Sequence, residues 1–224
     1  MTFSLTILGS SSALPTSKRF STAQALNVNE NYYLIDCGEG TQIQLRRNNI
    51  RFGKLNHIFI SHLHGDHYLG IFGLISTFTL LKRKSDLHIY AHEALSEMLD
   101  CQLKYQEGDL PFRIVFHPLK SDYPEKLLED KRIMVYSFPL NHRIKTCGFL
   151  FQEKPRELNI KKDMIERYNI PIAEIVKIKK GSDFTTQDGK TIKNQELTLP
   201  PMRSRSYAFC TDTLYHEPII PIIK

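Results

Sequence analysis

Cysteine is scarce in this 224-residue chain: there are four, Cys37, Cys101, Cys147 and Cys210, and no two of them form a C-x-x-C pair. That spacing offers neither a thiolate zinc module nor a disulfide framework, so the thiols are expected to be reduced and buried in a reducing compartment. No apolar run approaches the roughly 18 residues that cross a bilayer, and no membrane partner is expected. The first residues, Met1 to Leu5, are too short and uncharged for a signal peptide and read as a strand. With nothing directing the chain out of the cell, a cytoplasmic location is expected. No internal repeat or low-complexity tract appears. What remains is an ordinary globular composition, 41% apolar and 24% charged, enough for one sizeable core and an insertion rather than two domains. The net charge is +6, and its excess is densest over residues 151–206, where twelve Lys/Arg face eight Asp/Glu. A phosphate-backbone contact requires such a local excess.

The most informative stretch is Phe59-Ile60-Ser61-His62-Leu63-His64-Gly65-Asp66-His67-Tyr68-Leu69-Gly70. An apolar run, Ile58 to Ile60, reads as the end of a buried strand, and Leu69, Ile71, Phe72, Leu74 and Ile75 recur at helical spacing. The H-x-H-x-D-H cluster therefore sits in a strand-to-helix turn. Imidazole is the commonest zinc ligand, and a carboxylate completes a site that keeps a position open for water. His62 and His64 are two apart, so in an extended segment their rings project to one side and grip one ion. Asp66 and His67, a turn further on, suit a second ion nearby. A solvated histidine loop is the plain alternative, but four ligand-type residues in this order between strand and helix favour metal.

Along the rest of the chain, Phe3 to Leu8, Ala23 to Val28 and Tyr32 to Ile35 read as strands, the last two joined by a hairpin turn at Asn29-Glu30-Asn31. Asp36-Cys37-Gly38-Glu39-Gly40-Thr41 then places an acidic side chain and exposed amides near a sheet edge, with a helix starting at Gln42. A helix is expected over residues 68–82 and another from Glu93 to Tyr105. Strands are expected at Leu87–Tyr90, Arg113–Phe116, Ile133–Phe138, Cys147–Phe151 and, buried, Tyr207–Cys210. In the basic segment, Glu157 to Tyr168 reads as a charged helix, and Phe184 to Ile192 as a hairpin around Gln187-Asp188-Gly189-Lys190. This pattern predicts a mixed α/β sandwich with an excursion. His142 and Asp212 each follow a strand end, as Asp66 does, which places all candidate ligands on one rim; Asp212 could bridge two ions. The other histidines, His57, His88, His92, His117 and His216, have no partner at ligand spacing and read as surface or core residues.

The S-H-L-H-G-D-H-Y-L-G run has the spacing of the metallo-β-lactamase superfamily. Together with D-C-G-E-G-T-Q, the isolated His142, F-C-T-D-T and an N-I-P…K-I-K-K-G…D-G-K segment, it makes the chain resemble ribonuclease Z, the branch that trims the 3′ trailer from precursor transfer RNA. The resemblance implies a four-layer αβ/βα sandwich over residues 1–151 and 206–224, with residues 152–205 inserted as a flexible, protruding RNA-binding arm. It implies two zinc ions. His62, His64, His142 and Asp212 hold one, and Asp66, His67 and Asp212 the other, with Asp66 also the proton acceptor. Such a pair lowers the pKa of a shared water and presents hydroxide to phosphorus. Arg19, Lys177, Lys179 and Lys180 are the implied RNA contacts, made through phosphates and shape. A homodimer is implied as well, one arm serving the other subunit's site.

The chain departs from the family pattern twice. The family's P-x-K-x-R-N loop is here Pro15-Thr16-Ser17-Lys18-Arg19-Phe20, where Arg19 matches, the lysine is displaced and Phe20 replaces asparagine. The family also continues with a histidine–glutamate motif and a final zinc-binding histidine. The expectation is therefore an incomplete chain, impaired because its second site lacks that last histidine. Two other readings use the same residues: a hydrolase of small phosphodiesters or esters with the arm as a lid, and a metal-deficient RNA-binding fragment.

Overall fold

The computed structural model describes residues 2–14, 16–105 and 108–224, so Pro15 of the loop discussed above lies outside the described residues. The chain divides into two compact units, Met1–Phe151 with Tyr207–Lys224, and Gln152–Ser206. The first unit begins with the antiparallel strands β1 (Phe3–Gly9), β2 (Ala23–Val28) and β3 (Asn31–Ile35). Asn29 and Glu30, at φ 51° and 69°, form the turn between β2 and β3. Two successive left-handed residues match the twist of a tight hairpin. There follow α1 (Thr41–Arg47), β4 (Leu55–Phe59), α2 (Gly65–Tyr68), α3 (Gly70–Leu80), β5 (Leu87–Ala91), α4 (Ala94–Lys104) and β6 (Ile114–Pro118). Strands β3 to β6 pair in parallel, each crossover carrying helical residues. Next come β7 (Glu125–Glu129), β8 (Ile133–Leu140) and β9 (Thr146–Glu153).

The second unit contains β10 (Asn159–Ile160), α5 (Lys162–Arg167), α6 (Ile172–Lys179), β11 (Phe184–Thr185), β12 (Thr191–Ile192), α7 (Asn194–Leu197) and β13 (Thr198–Leu199). Ile170, Ile178, Phe184, Ile192 and Leu197 give it a small core of its own. At its base the buried Glu153 accepts from Arg156 and Arg205, and the Arg205 bond leads the causes that hold its carboxyl down at about 2. The chain then returns to the first unit through β14 (Ser206–Phe209) and ends in α8 (Ile220–Ile223).

The first unit's two sheets run β1-β2-β3-β4-β5-β6 and β14-β9-β8-β7. Because side chains alternate along a strand, Leu34, Ile58 and Ile89 face α1, α3 and α4. Tyr33, Ile35, Phe59 and Tyr90 face the second sheet, where Val135, Phe149 and Phe151 meet them. On the far side of that sheet Phe138, Leu140 and Leu150 pack against Ile219 and Ile222. The layers are thus helix, sheet, sheet and a short helical cap, a mixed α/β sandwich.

Several local expectations are corrected. The helix expected over 68–82 is two, α2 and α3, meeting at Leu69, because the Gly70 N–H donates to the Cys37 carbonyl (2.9 Å) rather than up the helix. The helix expected from Glu157 begins at Lys162, since Asn159 and Ile160 pair with Leu199 and Thr198. The stretch Val176–Gly181 is the end of α6 and the turn after it, which Pro171 initiates as N-cap. Strand β7, Glu-Lys-Leu-Leu-Glu, carries no alternation and is recognisable only by its pairing with β8. Cys37 and Cys147 are buried, but Cys101 and Cys210 are exposed, and of β14 only Phe209 is buried.

Candidate metal centre

The site is assembled on two turns that pack onto one another. The Cys37 N–H donates to the His67 carbonyl (2.7 Å), and the Gly70 N–H to the Cys37 carbonyl. A methyl group on Gly38 would lie 2.3 Å from the Asp66 carbonyl oxygen, and one on Gly70 2.1 Å from that of Gly38. Glycine is required at both positions because backbone meets backbone there. The D-C-G-E-G-T turn is therefore the floor on which the histidine turn rests. A third loop joins through the Cys147 N–H, which donates to the Ser61 carbonyl (2.9 Å). A fourth is tied to it: the Asn141 N–H donates to Thr213 Oγ1 (3.0 Å) and the Leu214 N–H to the Asn141 carbonyl (2.8 Å). These bonds bring His142 and Asp212 to the histidine turn.

The structure places His62, His64, His142 and Asp212 with one ligand atom each, all within 4.8 Å of one another. His62 Nε2 lies 2.9 Å from His64 Nδ1, His142 Nε2 3.4 Å from the same atom, and His62 Nε2 3.7 Å from Asp212 Oδ2. Asp66 Oδ2 and Asp212 Oδ2 both approach His67 Nε2, at 3.5 and 3.9 Å. Asp212 thus stands between the two groups.

Behind these atoms lies a layer absent from the expected site. Asp36, fully buried at the end of β3, accepts from the Ser61 N–H (2.7 Å), the Ser61 hydroxyl (3.0 Å) and His67 Nδ1 (2.7 Å). Ser61 Oγ in turn lies 3.0 Å from His62 Nδ1. The network assigns the tautomers: His67 and His62 carry their protons on Nδ1, aimed at Asp36 and Ser61, which leaves both Nε2 lone pairs turned toward Asp212. Metal-ligating histidines are held this way, with the second nitrogen bonded to a carboxylate or hydroxyl. The donor set fits a zinc ion: imidazole nitrogens and carboxylate oxygens converge, and His62 and His67 have outer partners in Ser61 and Asp36.

Burial pushes the His62 imidazole down to about 3, with His67 adding to the effect. Burial likewise lowers His67, but the hydrogen bond to Asp36 and the charges of Asp36, Asp66 and Asp212 together outweigh it and raise the ring above its ordinary value. Burial raises Asp212, and the His67 and His62 rings with the Thr211 hydroxyl overcome it, holding the carboxyl low and ionised. Neutral imidazoles and ionised carboxylates are the forms that bind metal. The ligands open onto a cavity of about 430 Å³, into which Glu39, Asp66, Arg143 and Asp212 face.

Arg19 lines a polar hollow with Ser10, Ser11 and Ser12, and its N–H donates to Thr16 Oγ1 (3.0 Å). Phe20 lies across Gly40 with Arg47 over its ring. Lys177, Lys179 and Lys180 belong to the second unit, at the end of α6. They do not form one stripe: Lys177 and Lys180 share a face, whereas Lys179 is turned about 200° from Lys177 and is half-buried. Lys177 Nζ also donates to Glu174 Oε1 (2.7 Å).

Asp36, Ser61 and Arg143 are the site residues that sequence reasoning missed. The D-C-G-E-G-T turn held a signal for Asp36, an acid at a strand end, but nothing in the sequence pairs it with residues 25 and 31 positions on. His57, His88 and His117 gather on the face of the first sheet that carries Phe59 and Tyr90, outside the site. His57 and His88 are cross-strand neighbours with ring centroids 4.9 Å apart, and His88 Nδ1 lies 3.0 Å from His117 Nε2.

Comparison with known proteins places these residues in a family. A ribonuclease Z from Bacteroides thetaiotaomicron is 47% identical over 222 residues, covering 99% of this chain and 70% of that protein. One from Porphyromonas gingivalis is 44% identical, covering 99% and 73%. The crystal structure of the short form of human tRNase Z superposes with a TM-score of 0.63 at 32% identity, over 68% of this chain and 66% of that one. Residues 3–164 also match the family described as Anti-Pycsar protein Apyc1. Among the described residues no helix is long and apolar enough to cross a membrane.

Proposed function

Since the chain belongs to the ribonuclease Z family, we propose that it is a zinc-dependent endoribonuclease that removes the 3′ trailer from precursor transfer RNA. The observation that carries this reading is the convergence of His62, His64, His142 and Asp212 on one point, with Asp66 and His67 beside it. The reading places one zinc on the first four residues, which converge as a metal site does, and a second on Asp66, His67 and Asp212. Zinc bound there supplies a hydroxide nucleophile at neutral pH and neutralises charge growing on the phosphoryl oxygens. The chain's own residues do the rest. Asp36 and Ser61 hold the His67 and His62 rings with Nε2 forward. Asp66, at the cavity wall, accepts the proton of the attacking water. Lys177, Lys179 and Lys180 bind RNA phosphates, giving affinity without sequence readout, and Arg19 meets the RNA near its 3′ end. The working assembly is a homodimer, one subunit's second unit serving the other's site.

A hydrolase of small phosphodiesters or esters would use the same metal residues. The match of residues 3–164 to the family described as Anti-Pycsar protein Apyc1 ends early in the second unit, so most of the segment that would set an RNA substrate apart lies outside it. One experiment separates the two: zinc-loaded chain, the His64→Ala variant and a chain lacking residues 155–199 are each given an unprocessed transfer RNA and a chromogenic phosphodiester. The expected outcome is trailer cleavage by the intact chain, loss of both activities by about 10³-fold or more in His64→Ala, and loss of RNA cleavage alone in the shortened chain. A zinc-loaded intact chain that leaves the trailer in place contradicts the proposal. A metal content well below one zinc per chain would favour the RNA-binding fragment instead.

A further inference from the structure

The acidic residues around the cavity raise a charge problem. Glu39, Asp66 and Asp212 line it, and among its described lining residues Arg143 is the sole Lys or Arg. A phosphodiester entering this cleft needs cationic partners, and one that is permanently charged already stands at its mouth. Arg143 lies in the turn after β8, next to His142, with Nε 3.2 Å and Nη2 3.0 Å from His64 Nε2.

Those contacts cannot coexist with a metal on His64. The atom of His64 that converges with His62 and His142 is Nδ1. A neutral imidazole has one proton, so a ring that ligates through Nδ1 carries that proton on Nε2. Arginine has five N–H donors and no acceptor, and a donor cannot bond a second donor. Arg143 is therefore excluded as the outer partner that holds His64 in a loaded site, the role Asp36 and Ser61 fill for His67 and His62. Loading the site removes the guanidinium's acceptor. Its paired N–H groups are then available to an anion entering the cleft.

Resting on the phosphodiester-cleaving function proposed above, we infer that Arg143 is a catalytic residue. Its guanidinium donates two hydrogen bonds to the non-bridging oxygens of the scissile phosphate as negative charge grows there. Planar, bidentate geometry matches a phosphoryl group, and Arg143 is exposed at the cavity mouth, where a phosphate can reach it. The same residue keeps an acceptor through His64 Nε2 until metal and substrate arrive.

The test uses the intact zinc-loaded chain and the variants Arg143→Ala and Arg143→Lys, with three measurements. Zinc affinity is measured by competition with a chromophoric chelator. The single-turnover rate is measured on precursor transfer RNA at saturation, and kcat on bis(p-nitrophenyl) phosphate. Arg143→Ala is expected to bind zinc as tightly as wild type or more tightly, because a positive charge beside the ligands has gone. Its RNA cleavage should fall about 10²–10³-fold, the usual effect of removing one such donor, with kcat on the small diester falling in parallel. Arg143→Lys should recover part of the rate, since it restores the charge without the fork. The inference is overturned if Arg143→Ala cleaves at the wild-type rate, or if it loses zinc in proportion to activity, which would make Arg143 a support for His64. Should wild type leave transfer RNA intact, the proposed substrate falls, while the small diester still decides the role of Arg143.

Discussion

Asp36 shows how much of the site depends on a residue that touches no substrate. It occupies the left-handed region at φ 56°, where aspartate and asparagine are tolerated better than most side chains. Asp36→Asn therefore keeps the backbone and alters only the polarity of one carboxylate face. The asparagine oxygen can still accept from the Ser61 N–H, but its NH₂ then faces His67 Nδ1 and forces that proton to Nε2, where a ligand lone pair is needed. Zinc affinity is expected to fall about 10–100-fold and cleavage with it, as chelator competition would measure. Unchanged affinity would mean that His67 is held by packing alone. The H-x-H-x-D-H cluster was legible because its order is local and its chemistry narrow. Asp36 and Ser61 were not, because their meaning lies in bonds across 25 to 31 residues.

At the scale of elements, the parallel strands β4, β5 and β6 carry a row of rings across one face of the sheet. Phe59 stacks on Tyr90 (4.5 Å, 7°) and Tyr90 on His117 (4.3 Å, 9°), with His57 and His88 continuing the row. His57 Nδ1 is buried without a hydrogen-bond partner. Burial, with His88 adding, pushes the His57 ring down to about 4, while Asp130 pulls the other way. Burial also lowers His88 and His117. A ring whose folded pKa lies below its unfolded value leaves stability intact above about pH 6.5 and removes it as pH falls toward 4, because the unfolded chain binds the proton first. For His57 the loss between pH 7 and pH 5 is on the order of 2 kcal/mol. Urea unfolding of His57→Leu is expected to show a gap between the two pH values smaller by about that amount; an undiminished gap would place the acid sensitivity elsewhere. The strands themselves were readable, because alternation and apolar runs locate buried strands. The row was not, because His57, His88 and His117 meet only once the register of three strands is set. The helix break at Leu69 escaped for a similar reason, its cause being the Cys37 carbonyl on another turn.

On the scale of the molecule, the boundary of the basic segment was visible as a change in charge and pattern, and the second unit runs from Gln152 to Ser206. Its interior was less legible: short strands of two residues give no periodicity, and the lysine run looked like one patch until α6 turned Lys179 aside. That geometry ranks the lysines. Lys180→Ala is expected to weaken transfer-RNA binding and lower the slope of log K against log salt by about 1. Lys177→Ala should do less, since Glu174 already engages that ammonium. Filter binding across a salt series would measure both, and equal slopes in both variants and wild type would exclude this end of α6 from the RNA contact.

Everything in this account depends on imidazoles from separate strand ends meeting at one cation. The direct measurement is diffraction at the zinc absorption edge from crystals grown with zinc. The predicted map has an anomalous peak about 2.0–2.1 Å from His62 Nε2, His64 Nδ1 and His142 Nε2, with a second beside Asp66 and His67. A map with no peak among those rings, or with zinc bound through His64 Nε2 at the surface, would contradict it.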